Sequence, residues 1–502
     1  MASTSRGGPR RAVASALLAA SLAGCNFAPR YAPPPTPQPL AYREQGPWTE
    51  AQPAETAPRG PWWTRFDDPA LDRLEPQVPL ANPTLAAALA AYDQARDFAA
   101  QARSAYLPTV AGFDENTYDR QSQERLFRGG GQRNVEPDNR IGATLSYELD
   151  LWGRVRNLVA AGGATAQAAA ADLADAQLSL QGQLADDYIQ LRGLDAQARL
   201  LRSTVAAYQR ALDLTQARHS GGVVSGLDVD RAANQLSAAK AQINDVAAQR
   251  ALYEHAIASL VGQPASTFAI APATAVARIV PHVPAGVPST LVQRRPDIAA
   301  AERRAYAANR QIGVARAAFF PTVSLGAQGG WENTGGNDLL TSPDSFWTVG
   351  PQLALTLFDG GRRRAVVAAS KAAFDLVSAQ YRAAVLTAFQ QVEDQMALAN
   401  HYAAEQVDEA SAVKSAQATT NLSLIRYREG ATNYLDVVTA QTAELQAEQT
   451  LLALQTRRQQ ASVNLVRALG GGWSDTDLPS PRQAAREKRS AQPAETVAAR
   501  TP

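Results

Sequence analysis

The chain has 502 residues, a formal net charge of +1 and 45% hydrophobic content, enough for two to four ordinary domains or one elongated one. One cysteine excludes an intrachain disulfide and a cysteine-based zinc site, and four scattered histidines leave little for a His-rich metal site; no phosphate loop, His-Glu-x-x-His or Gly-x-Ser-x-Gly motif is present, so no enzymatic activity is expected. Near-neutral charge offers no basic excess for phosphates, so no nucleic-acid partner is expected. No apolar run reaches the ~18 residues of a spanning helix, which leaves a β-barrel open, because barrel strands alternate in polarity.

In chain order, Arg6, Arg10 and Arg11 precede a short apolar stretch from Ala12 to Ala23, the pattern of an export signal. It ends in Leu22-Ala23-Gly24-Cys25, which resembles the lipobox of bacterial lipoproteins. That resemblance implies a signal peptide over 1–24, a covalent lipid on Cys25 and, with Asn26 next, sorting to the outer membrane. Residues 25–61 carry Pro29, Pro33, Pro34, Pro35, Pro37 and Pro39. Proline fixes φ and removes a donor, so this lipidated arm is expected to be extended, as a tether or as a strap along the folded body. After Gly470-Gly471-Gly472, residues 472–502 lack periodicity and read as a disordered tail.

Between these ends the chain repeats itself. Leu227-Asp228-Val229 recurs as Leu435-Asp436-Val437, 208 positions on, and Gly222 recurs as Gly430 at the same offset. Asn82-Pro83 matches Arg295-Pro296, 213 positions on, so the first copy holds a longer insertion between Pro108 and Arg154. Solenoid periods are only ~20–50 residues, so a repeat this long is duplication of one large unit. The copies are 62–263 and 295–471, joined by a linker over 264–294.

Each copy reads as helix, hairpin, very long helix, turn and helix. Pro83 and Pro296 occupy the favoured first position of a helix. The hairpins fall at 109–151 and 322–358. Ile141, Ala143, Leu145, Tyr147 and Leu149 alternate with polar residues, as do Val323, Leu325, Ala327 and Trp331. This is the signature of strands with one apolar face. The strand after Pro108 is blurred by Asp114, Glu115 and Asn116. Trp331, Trp347, Phe346 and Tyr118 fall near strand ends, where aromatics of a membrane interface are expected. Four strands cannot close a barrel in lipid, since the smallest have about eight. Either the sheet is soluble, or several chains pool their strands.

No proline interrupts Gly153 to about Thr215, or Gly361 to about Ile425, giving helices of roughly 90 Å. The stripe Phe374, Val377, Tyr381, Val385, Ala388, Val392 and Met396 favours a straight helix. The stripe Val229, Ala232, Leu236, Ala239, Ile243 and Val246 has coiled-coil spacing. Turns at 220–226 and 429–433 reverse the chain. Asp186-Asp187, on adjacent positions about 100° apart, reads as a solvated or lumen-facing pair.

Taken together, Cys25 with its lipobox, Trp62-Trp63 with Phe66-Asp67-Asp68-Pro69, Arg294-Arg295-Pro296-Asp297-Ile298, Phe358-Asp359-Gly360-Gly361-Arg362 and the segment from Tyr427 to Asp436 resemble the TolC-like outer-membrane efflux proteins. The match is to the lipoprotein branch serving resistance-nodulation-division pumps. The resemblance implies a mostly α fold with membrane β. Three chains would form a twelve-stranded β-barrel joined to a twelve-helix periplasmic α-barrel. It implies a passive export duct with no enzymatic activity, in outer-membrane lipid, partnered by a periplasmic adaptor (a membrane fusion protein) and an inner-membrane pump. A duct for type I protein secretion and a lipid-anchored coiled-coil scaffold are the alternatives. The resemblance makes Asp228 and Asp436 candidates for an acidic ring at the periplasmic gate, or else caps of the helices they open. It makes Tyr427 and Arg428 candidate latch residues, and the turns with Gly222 and Gly430 the place where an adaptor docks.

Overall fold

A computed structural model describes residues 26–36, 39, 41–44, 61–120, 122, 124, 135–273, 291, 293–335 and 338–480. Cys25, most of the linker and the tail beyond 480 lie outside the described residues.

Six long helices and four strands follow the duplicated order. They are α1 (Pro83–Ser104), β1 (Thr109–Arg120), β2 (Val135–Leu149), α2 (Arg154–Ser220) and α3 (Gly226–Leu260), then α4 (Pro296–Ala317), β3 (Thr322–Asn333), β4 (Ser345–Ala354), α5 (Arg362–Arg428) and α6 (Tyr434–Ala468). Both α2 and α5 have 67 residues, about 100 Å of helix. Gly153 and Gly361 start them from left-handed backbone, with φ of 74° and 93°, which costs glycine nothing. Helix α2 packs along α1, α3, α4 and α6, and α5 packs along α4 and α6. No helix among the described residues is long and apolar enough to cross a membrane.

The two copies close in the same way with different chemistry. Asn82 caps α1 by accepting from the Leu85 amide at 3.1 Å, and donates to the Leu260 carbonyl at 2.9 Å. Its counterpart Arg295 donates to the Ala468 carbonyl at 2.9 Å and pairs with Asp297 at 2.7 Å. Each bond ties the start of a first helix to the carbonyl end of the last helix of the same copy, satisfying groups a helix cannot satisfy itself. The glycines beyond those ends have no room for a side chain. A Cβ on Gly262 would sit 2.2 Å from the Ala81 carbonyl oxygen, and one on Gly470 1.9 Å from that of Arg294.

A buried cluster joins the copies midway along the helices. Trp62, Phe66, Leu71 and Val78 pack with Leu184, Tyr188 and Leu191 of α2 and with Tyr381, Val385, Val392 and Met396 of α5. The expected α5 stripe is therefore buried over its second half. Asp68 caps the short helix Pro69–Leu74 and accepts a 2.8 Å hydrogen bond from the Tyr188 hydroxyl. Asp186 and Asp187 depart from expectation: both are half-buried beside this core, each with one oxygen enclosed and unpartnered. Burial pushes Asp186 up to about 7 and Asp187 up to about 6.

The segment from Asn26 to Glu44, where described, runs as a strap along the folded body. The Phe27 ring stacks on Phe320 at 4.3 Å, and Trp152 stacks on Phe320 at 5.0 Å. Tyr31 donates to Glu302 at 2.7 Å, and the amides of Arg43 and Glu44 donate to Glu393 at 2.8 and 3.0 Å.

The strands form one antiparallel sheet in the order β1-β2-β3-β4. Pairing of β2 with β3 joins the two copies across α2, α3 and α4. The register puts Val110, Leu145, Ala327 and Val349 in one row, and Leu149, Val323 and Leu353 in another row on the same face. Trp331 and Trp347 share that face, and Trp347 is 78% exposed. The opposite face carries Glu148, Ser324 and Gln352 in one row and Glu115, Arg140 and Glu332 in another. Arg140 pairs with Asp138 and Glu332 at 3.0 Å each. Strand β1 runs through its acidic stretch, with Asp114 on the apolar face opposite Ile141. Phe346 is not on the interfacial face. Neighbouring residues of a strand point to opposite sides, so Trp347 takes the apolar face and Phe346 the polar one.

Candidate gate at the helical tips

The two helical hairpins end in the same turn. In each, helix carbonyls are closed by a glycine in left-handed conformation, Gly222 with φ 74° and Gly430 with φ 79°. Gly222 donates to His219 and Val223 to Arg218, while Gly430 donates to Tyr427 and Ala431 to Arg426. This paired pattern is a helix-ending motif that needs glycine at its left-handed position. Both glycines are exposed.

Behind the turns lies a small apolar cluster of Tyr208, Leu212, Leu236, Tyr427, Tyr434 and Val437. Tyr427 is 1% exposed and packs edge-on against Tyr434 at 5.2 Å. Its hydroxyl lies 3.4 Å from that of Thr215 on α2. Tyr208 of α2 donates to the Gln441 carbonyl of α6 at 3.2 Å. Burial, then the neighbouring Tyr427, Tyr208 and Asp228, pushes the Tyr434 hydroxyl up to about 12.

One tie between the hairpins comes from Arg218, a residue that no sequence motif singles out. Arg218, in the last turn of α2, places its guanidinium 4.7 Å above the Tyr427 ring. It donates to the Tyr427 carbonyl and, at 3.2 Å, to the Arg428 carbonyl. A cation there also faces the carbonyl end of α5, where the helix dipole favours it. Arg428 is exposed and contributes that carbonyl. His219, at the position matching Tyr427 in the first copy, bonds the Val224 carbonyl of its own turn at 2.9 Å.

The two candidate aspartates differ. Both lie in the first turn of their helices, and neither is the capping residue. Asn433 caps α6 by accepting from the Asp436 amide at 3.2 Å, and the Asp436 carboxylate accepts from Thr432. Asp228 pairs with Arg231 at 3.4 Å and its side chain is only 15% exposed. Asp436 is exposed. Among the described residues no group of His, Cys, Asp and Glu could hold a metal ion.

Comparison with known proteins fits this architecture. The family model described as outer membrane efflux protein matches residues 76–263 and 287–471. The chain is similar to the outer membrane protein OprJ of Pseudomonas aeruginosa, 30% identical over 470 residues, covering 93% of this chain and 97% of that one. It is similar to the toluene efflux pump outer membrane protein TtgC of Pseudomonas putida, 30% identical over 474 residues, covering 94% and 98%. Its fold is similar to the solved outer-membrane channel OprN, with a TM-score of 0.79 and 30% identity over 89% of this chain and 100% of that one. The chain belongs to the outer membrane efflux protein family, whose members serve as channels of the outer membrane.

Proposed function

We propose that three chains share one wall, a twelve-stranded barrel in the outer membrane continuous with a twelve-helix tunnel through the periplasm. The sheet carries the reading. It has an apolar face, a polar face and two open edges, β1 and β4. Unpaired backbone groups cost several kcal/mol each in hydrocarbon, so the edges must meet other chains. The duct performs no chemistry; an inner-membrane pump supplies the energy. The regulated step is opening of the tips, where Arg218, Tyr427 and Tyr434 hold the hairpins together and Asp228 and Asp436 bring three pairs of carboxylates toward the axis. The exposed turns at Gly222 and Gly430 receive the periplasmic adaptor. The printed name of TtgC, a toluene efflux pump outer membrane protein, favours small-molecule efflux over protein secretion.

Cys25 carries the covalent lipid, and the strap from Phe27 onward holds that end beside the base of the sheet. Each acyl CH₂ buried contributes about 0.8 kcal/mol. Cys25→Ser should abolish incorporation of labelled fatty acid, and persistent labelling would overturn the anchor. Conductance of the purified full chain in planar bilayers tests the duct: discrete channels are expected, and their absence would leave a lipid-anchored scaffold.

A further inference from the structure

The polar face of the sheet contains one row that is not polar. Phe113, Gly142, Gly330 and Phe346 are cross-strand neighbours and therefore share this face. The two central positions exclude side chains. A Cβ on Gly142 would fall 2.4 Å from the Gly329 carbonyl oxygen, and one on Gly330 2.1 Å from that of Ile141. The Phe113 ring reaches over the gap, its Cζ only 2.8 Å from where that Gly142 Cβ would be. Both phenylalanines are half-buried, so each keeps ring surface uncovered on a face otherwise lined by polar, charged and small residues. Covering Gly142 accounts for the position of Phe113. It does not account for Phe346, at the far end of the same row on β4.

The surrounding charge is one-sided. On this face of the four strands, Arg140 pairs with Asp138 and Glu332, Arg154 at the start of α2 pairs with Glu148, and Glu115 and Asp119 add further negative charge. Rows next to the phenylalanines hold Glu115, Arg140 and Glu332 on one side, and Ala111, Thr144, Gln328 and Thr348 on the other.

We propose that Phe113 and Phe346 form an aromatic belt inside the barrel, a binding subsite for apolar organic cations in transit. The inference rests on the trimeric duct, in which three chains supply six rings at one level. Twelve strands about 4.8 Å apart, tilted near 40°, give a backbone diameter of roughly 24 Å, so a cargo passing near the wall meets the belt. Ring faces attract cations and shield apolar groups, and the excess carboxylates raise the local cation concentration. Weak, repeated contact of this kind lets cargo enter without trapping it.

The test uses the full chain reconstituted in liposomes and planar bilayers, with tetraphenylphosphonium as the probe. Its blocking concentration is read rather than conductance, because a closed tip in series would mask a change at the barrel. Wild type should show concentration-dependent block. Phe113→Leu with Phe346→Leu, which keeps apolar bulk, should weaken it about tenfold, while Phe113→Trp with Phe346→Trp should retain it. Phe346→Cys should react with a charged, membrane-impermeant maleimide and be protected by the probe, and Trp347→Cys should not react. Channels with unchanged block in the Leu variant, or an unreactive Phe346→Cys in conducting protein, would overturn the belt. Absence of current from wild type would instead remove the duct on which it rests.

Discussion

Arg218 of α2 holds Tyr427 of α5 in two ways at once, with its guanidinium 4.7 Å above the ring and bonded to the backbone carbonyl of the same residue. One side chain thus crosses from the first hairpin to the second, within a turn of both tips. Arg218→Ala should loosen the closed state by about 2 kcal/mol per chain, seen as a rise in single-channel conductance or open probability of tenfold or more. Tyr427→Phe keeps the ring and carbonyl and loses only the contact with Thr215, so it should have a much smaller effect. Equal effects of the two substitutions would place the tie elsewhere.

The tip aspartates should act together through charge. Asp228→Ala with Asp436→Ala is expected to raise conductance at neutral pH, with the exposed Asp436 giving the larger share alone. Unchanged conductance in the double variant would leave these residues only a helix-dipole role.

Two glycines of similar conformation, Gly222 and Gly470, should respond differently. A Cβ at Gly222 meets nothing within 4 Å, so Gly222→Ala should cost only the ~1 kcal/mol of left-handed backbone. At Gly470 the Cβ would strike the Arg294 carbonyl at 1.9 Å, so Gly470→Ala should cost several kcal/mol and lower the melting temperature far more. Similar melting temperatures for the two variants would contradict the contact.

Much of this architecture was legible in the residues, for physical reasons. Glycine and proline mark backbone conformations, so the ends of all four long hairpin helices fall within a few residues of the sequence boundaries. Period-two alternation located β2 and β3. It could not place Phe346, because hydrophobicity alone set it beside Trp347 at the interface, whereas strand geometry forces the two rings to opposite faces. Arg218 was invisible because a basic residue near a helix end is common, and only the fold brings it onto Tyr427. Asp186 looked solvated because nothing local shows that Asn464 and Arg467 of α6 lie beside it. The prolines of the arm left tether and strap equally open; the stacking of Phe27 on Phe320 that decides for a strap depends on long-range packing.

Glu75 gives a pH dependence of stability. It is fully buried, with both carboxylate oxygens unpartnered, and burial pushes it up to about 9 from an ordinary value of 4.5. The folded chain therefore holds a proton that the unfolded chain releases earlier. Stability from this group is fully present below pH 4.5 and is lost progressively as pH rises toward 9. Glu75→Gln should raise the melting temperature at pH 8 to 9 and leave it nearly unchanged at pH 4. A variant less stable than wild type at alkaline pH would show that the carboxylate has a charged partner in the assembly.

The account depends most on three chains completing one barrel. Native mass of the detergent-solubilised protein tests this directly: three copies of the 53.3 kDa chain, less the cleaved signal and with added lipid, are expected. A stable monomer that still inserts its sheet in membranes would contradict it.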